Sequence, residues 1–169
     1  IEGNNPYEIY TVYKSYKAFN NEKDLTKFTY PIIDYIIFLD SDDYWELDCI
    51  EECVPRMDGV EVVWFDYGFK HEIDKKYFKN KIAVKDSFLK IYGYKFSKNI
   101  SKLKWLKSVD NSNSTFACVC VGMIDFSFLS RIKLKFLDYI IHEDHHFGIL
   151  LFLQANNIYV LLKKLYNYR

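Results

Sequence analysis

Apolar residues run without a charge from Tyr35 to Leu39 and stop at three carboxylates packed into four positions, Asp40, Asp42 and Asp43. A short, continuous apolar run rich in aromatic and β-branched residues predicts a strand buried on both faces. Its acidic carboxyl end lies where open α/β sheets bind ligands. The period then changes: Leu47, Ile50 and Val54 share one face of a helix predicted over 46–54, which Pro55 and Gly59 end. A second apolar run, 60–65, predicts another core strand. Strand, acidic turn, helix and strand make a βαβ unit with a right-handed crossover.

The later chain is less regular. Residues 83–92 predict a helix with Asp86 as its cap and Gly93 as its stop. Residues 99–115, with Trp105 and the polar run Asp110-Asn111-Ser112-Asn113-Ser114, predict a loop near the substrate. Residues 116–123 are strand-like, and Asp125 caps a short helix over 126–131. Ile140 and Ile141 lead into His142-Glu143-Asp144-His145-His146-Phe147. Phe147, Leu150, Leu151 and Gln154 then recur at helical spacing as far as Asn156-Asn157, and 158–162 predicts a last short strand. At the other end, 7–19 predicts a helix after Pro6, and Pro31 introduces the central strand, but 1–31 are poorly placed by pattern.

Length and composition narrow the class. The 169 residues suit one domain, 1–169, and half of them are hydrophobic. Aromatics make up 19%, a fraction that excludes a disordered chain. No apolar run approaches the length of a membrane-spanning helix, and no signal peptide is visible. Formal charge sums to zero, but it is unevenly spread. From Asp34 to Asp66 eleven acids face one base, Arg56, whereas from Lys70 to Lys107 twelve lysines face three acids. The lysine-rich stretch is either a solvated surface or a contact for an anionic acceptor or membrane leaflet. It carries no nucleic-acid-binding signature. Cys49/Cys53 and Cys118/Cys120 lack structural zinc spacing and read as buried, reduced thiols of a cytosolic protein.

Three carboxylates this close repel one another unless a cation or hydrogen-bond donors gather them. Oxygen-only ligands select a hard ion, Mg²⁺ or Mn²⁺. An acidic loop that only caps the next helix fits the same residues. A calcium loop is excluded because its sixth position holds Trp45 instead of Gly. A magnesium-dependent phosphatase of the haloacid-dehalogenase type, with Asp40 as nucleophile, wants Thr or Val where Tyr44 stands.

The full string Phe-Leu-Asp-Ser-Asp-Asp-Tyr-Trp, 38–45, resembles the metal-binding motif of the family-two glycosyltransferases, inverting enzymes of GT-A fold. Glu143-Asp144-His145-His146-Phe147 opening a helix, then a strand and the Tyr166-Asn167-Tyr168-Arg169 tail, resembles the family's second half. The likeness extends from about Tyr35 to Arg169, is strongest at these two places, and points to bacterial surface-polysaccharide and lipooligosaccharide transferases.

The resemblance implies a GT-A-like, Rossmann-related mixed sheet flanked by helices. It implies a metal-dependent transfer of sugar from a nucleotide diphosphate, a UDP-sugar, to a glycan or lipid-linked acceptor. Asp42 would be the direct metal ligand, Asp40 would lie beside the metal or ribose, and Asp43 would support both. Asp144 would be the catalytic base with Glu143 its neighbour, and His142, His145 or His146 could complete the metal shell. The expected location is the cytoplasm, at the inner face of its membrane if the 70–107 lysines meet lipid. The family's opening Pro-x-Tyr-Asn and Asp-Asp-Gly-Ser elements, which build its nucleobase pocket, are absent from 1–34. The chain is therefore expected to be a fragment or shortened member truncated at its N-terminus, and a non-catalytic remnant of the same fold is the alternative.

Overall fold

The computed structural model describes residues 33–69, 87–112 and 119–168. The predicted helix over 7–19, the start of the one over 83–92, and Cys118 lie outside the described residues. One mixed sheet organises the rest. Its strands are β1 (Tyr35–Ile37), β2 (Tyr44–Trp45), β3 (Val62–Phe69), β4 (Lys98–Ser101), β5 (Gly122–Asp125) and β6 (Asn157–Tyr168). The order is β1-β5-β3-β6-β2, with β4 also on β6. β3 and β6 run parallel, whereas β5 is antiparallel to both β1 and β3. The strands β1, β3 and β6 therefore point the same way and deliver their carboxyl ends to one edge of the sheet.

The central pair is where burial is greatest. Val62, Val63, Trp64 and Phe65 on β3, and Ile158, Val160, Leu161 and Leu165 on β6, are all buried. Trp64 is surrounded by Tyr92, Tyr94 and Phe152 at ring separations of 5.2, 6.1 and 5.3 Å. Each such ring pair adds about 0.5–1.5 kcal/mol to its area burial.

Among the described residues four helices flank the sheet: α1 (Cys49–Cys53), α2 (Lys102–Ser112), α3 (Phe126–Ile132) and α4 (Glu143–Gln154). Asp125 caps α3 as expected, its Oδ1 accepting from the N–H of Phe128 at 2.6 Å. On α4, Phe147 and Leu151 are buried as their spacing predicts.

Several expectations are corrected. The first strand is neither central nor buried on both faces. It is three residues long, pairs only with β5 among the described residues, and leaves Tyr35 and Leu39 substantially exposed. Strands β1 and β3 are parallel but β5 lies between them, so the βαβ unit skips a strand.

Helix α1 is short and turned away from its predicted phase. Cys49 and Cys53 face inward, whereas Leu47, Ile50 and Val54 are exposed. Two forces set that phase. The small apolar thiols pack against the core, and Lys163 of β6 grips Asp48 and Glu52 at 2.6 and 2.8 Å. Over 87–92 there is a single 3-10 turn, Phe88–Lys90, in place of an α-helix. The described part of the expected loop, 99–112, is β4 followed by α2, whose Trp105 is 2% exposed against Phe152. Residues 119–121 form a 3-10 turn before β5, and the last strand runs far beyond 158–162.

One buried acid stands out. Asp66 on β3 is 1% exposed, and its Oδ1 accepts the N–H groups of Tyr67 and Phe88, each at 3.0 Å. Burial raises its pKa, and the hydrogen bonds offset only part of that rise. Because the folded pKa lies above the unfolded one, stability is highest below the ordinary carboxylate range. It falls as pH rises from about 4 through the raised value, where the unfolded chain releases the proton first. Asp66→Asn keeps an acceptor oxygen and removes the titration. Its unfolding free energy, measured by urea titration across that window, is expected to fall less with pH than that of the wild type. Equal slopes would mean that Asp66 does not titrate differently in the two states.

Candidate active site at the carboxyl edge of the sheet

The acidic turn follows directly from the end of β1. The N–H of Asp43 closes it onto the carbonyl of Asp40 at 3.2 Å. The chain then joins the far side of the sheet: Tyr44 and Trp45 pair with Asn167 and Tyr166, and the N–H of Glu46 bonds the carbonyl of Leu165 at 2.8 Å. Glu46 also accepts from the Asn167 side chain at 2.8 Å. The turn is thus clamped between the ends of β1 and β6 and cannot drift from the sheet edge.

Phe38, one residue before Leu39, carries the second attachment. Its ring meets Phe136 and Phe147 edge-on at 5.4 and 5.8 Å, and those two stack at 4.2 Å. Phe147 belongs to the first turns of α4, so this three-ring cluster holds the start of that helix against the end of β1. Glu143 and Asp144, at the helix's first turn, arrive at the acidic edge by this route. His142 precedes them in the left-handed conformation, φ 65°, which folds the chain sharply into the helix.

The result is a cluster of like charges. Asp40 has its pKa raised, first by burial and then by the negative charges of Asp43, Asp144 and Asp42, against a weak hydrogen bond from the Cys120 thiol at 3.7 Å. Two acidic stretches about a hundred residues apart in sequence therefore act on the same carboxylate. Asp42 lies exposed on the turn. Asp43 differs from it, because the phenol of Tyr166 donates to its Oδ2 at 2.5 Å. Burial, then that bond, pushes the Tyr166 phenol above its usual range, so it stays a protonated donor.

Asp43, Asp144 and Asp42 lie near enough to Asp40 to act on its charge, and an all-oxygen set of this kind could hold a hard divalent cation. Asp40 and Asp42 fit as its ligands. Asp43, already engaged by Tyr166, fits as a brace for the turn. Tyr166 and Cys120 were missed in the sequence. The Tyr-x-Tyr tail signalled Tyr166 without a role, and nothing signalled Cys120.

The three histidines separate. His142 and His145 lie ring to ring at 5.0 Å, with Asp144 beside them, whereas the Nδ1 of His146 is buried with no hydrogen-bond partner among the described residues. Elsewhere, Tyr92, Gly93 and Tyr94 and one face of α2 border an open groove lined by Lys98, Lys104 and Lys107.

No family model matches the chain, and no curated protein matches it. Solved structures do. The 1–349 fragment of S. aureus TarS, a glycosyltransferase, superposes with TM-score 0.58 and 18% identity over 81% of this chain and 36% of that one. The same fragment in complex with UDP-GlcNAc gives 0.58 and 19% over 82% of this chain and 35% of that one. Its complex with UDP gives 0.57 and 18% over 82% and 36%. The chain thus spans about a third of the length of those it resembles. The likeness shows the fold, a GT-A-like glycosyltransferase fold, in agreement with the motif resemblance.

Proposed function

We propose that this chain is the metal-binding and acceptor-facing part of an inverting glycosyltransferase. It would move a sugar from a UDP-sugar to a glycan or lipid-linked acceptor. The observation that carries the reading is the placement of Asp40, Asp42 and Asp43 on the turn after β1, with Asp144 of α4 close enough to act on the charge of Asp40, at the carboxyl edge of a GT-A-like sheet. The fold's neighbours in complex with UDP and UDP-GlcNAc support the choice of donor.

Each residue then has a task. Asp42 and Asp40 hold Mn²⁺ or Mg²⁺. When bound, the ion neutralises charge on the leaving diphosphate. Tyr166 fixes Asp43, and through it the turn, so that Asp40 and Asp42 stay where the diphosphate arrives. Asp144 accepts the proton of the acceptor hydroxyl, and the Phe38–Phe136–Phe147 cluster sets its position. Glu143 keeps the edge negative beside it. The lysine-lined groove suits an anionic acceptor or the headgroups of a membrane leaflet, on the cytoplasmic side.

The test is release of UDP from UDP-GlcNAc by the purified chain. Release is expected with Mn²⁺, abolished by EDTA and restored by added Mn²⁺. Phosphoryl-aspartate trapped at Asp40 would favour the phosphatase instead. The absence of both products, with no binding of UDP, would favour a remnant that keeps the fold without the chemistry.

A further inference from the structure

We infer that the start of α4 carries a second metal site, distinct from the aspartate turn, in which His142, His145 and Asp144 bind a transition metal of borderline softness such as Zn²⁺ or Co²⁺. The ligand atoms of these three side chains lie within 4.8 Å of one another. The backbone at His142 is left-handed, the His142 and His145 rings lie 5.0 Å apart, and the Asp144 carboxylate is 3.9 Å from Nε2 of His145. All three groups are at least partly open to solvent, so an ion can reach them.

The donor set decides which ion. Two neutral imidazoles and one carboxylate match a tetrahedral Zn²⁺ or Co²⁺ site with one position left for water. Mn²⁺ and Mg²⁺ prefer the all-oxygen set at Asp40 and Asp42. One force opposes binding. A helix start carries partial positive charge, which disfavours a cation. The carboxylates of Glu143 and Asp144, both in that first turn, offset it.

The site has a functional consequence that rests on Asp144 being the transfer base. A carboxylate held by Zn²⁺ cannot accept a proton from an acceptor hydroxyl. Zn²⁺ at the helix start therefore inhibits transfer even when Mn²⁺ saturates the aspartate turn.

The experiment is a titration of the whole chain with Co²⁺ alone, followed by visible absorption. One equivalent is expected to give the intense band of a tetrahedral site, and Zn²⁺ to displace it. His145→Gln and His142→Asn should each weaken Co²⁺ binding about tenfold or more. Asparagine tolerates the left-handed conformation, so the second variant keeps the helix start. Asp42→Asn should bind Co²⁺ like the wild type, although it loses Mn²⁺, and this separates failure of the site from failure of the transferase reading. If Asp42→Asn loses Co²⁺ as fully as His145→Gln, the imidazoles belong to the aspartate turn and the second site does not exist. Wild-type affinity in both histidine variants, or no tetrahedral band, overturns it equally.

Discussion

Asp144→Asn is expected to slow sugar transfer by about 10²–10⁴-fold, the contribution of a positioned general base, or about 3–5 kcal/mol of barrier. The substitution keeps the size of the side chain and its place in the first turn of α4. The helix is anchored by Phe147, Leu151 and Phe152, all buried, and none of these is touched. Thermal unfolding should therefore change little, and Mn²⁺ affinity should remain close to that of the wild type. Single-turnover kinetics with saturating donor separates the effects, because loss of a base lowers the chemical step without weakening donor binding. A rate within threefold of wild type would move the base elsewhere, with Glu143 the next group to replace.

Asp42→Asn is expected to act on the other side of the reaction. The side chain is exposed on the turn, so its removal costs the fold little, unlike that of Asp43, which Tyr166 holds. Losing a partner outside the direct ligand shell typically costs 10–100-fold in metal affinity. Loss of a direct charged ligand should thus weaken Mn²⁺ by at least about 100-fold and reduce transfer accordingly. The same change relieves one of the repulsions on Asp40, whose pKa should move back towards its ordinary range. Calorimetric titration with Mn²⁺ reads the affinity directly. Equal affinities in the two proteins would remove Asp42 from the site.

The sequence was legible where local pattern and tertiary demand coincide. Leu39-Asp40-Ser41-Asp42-Asp43 announces a strand end followed by an acidic turn, and that turn lies where it was expected. Asp125 caps its helix because an aspartate before an aromatic and apolar stretch serves the same role locally and in the fold. Glu143 and Asp144 open α4 for similar reasons.

Failures occurred where distant contacts chose between local options. In α1 the apolar stripe of Leu47, Ile50 and Val54 was the stronger periodic signal. Lys163, more than a hundred residues away, and the two buried thiols turned the helix the other way. In α2 the polar run at 110–114 hid a helix whose inward contacts are Trp105 and a serine, the Ser108 hydroxyl lying 2.7 Å from that of Tyr94. The reach of β6 to Tyr168 depends on pairing with β2, β3 and β4 along its length, which no local window contains. The Tyr166–Asp43 bond, which ties the tail to the acidic turn, was invisible for the same reason.

A divalent-cation site for a nucleoside diphosphate at the sheet-edge carboxylates would make UDP binding depend on the ion. Calorimetric titration of the wild-type chain with UDP, with and without saturating Mn²⁺, tests it most directly. Measurable UDP binding is expected with Mn²⁺, with a collapse of that binding when EDTA removes the ion. UDP affinity that is the same in Mn²⁺ and in EDTA would contradict it.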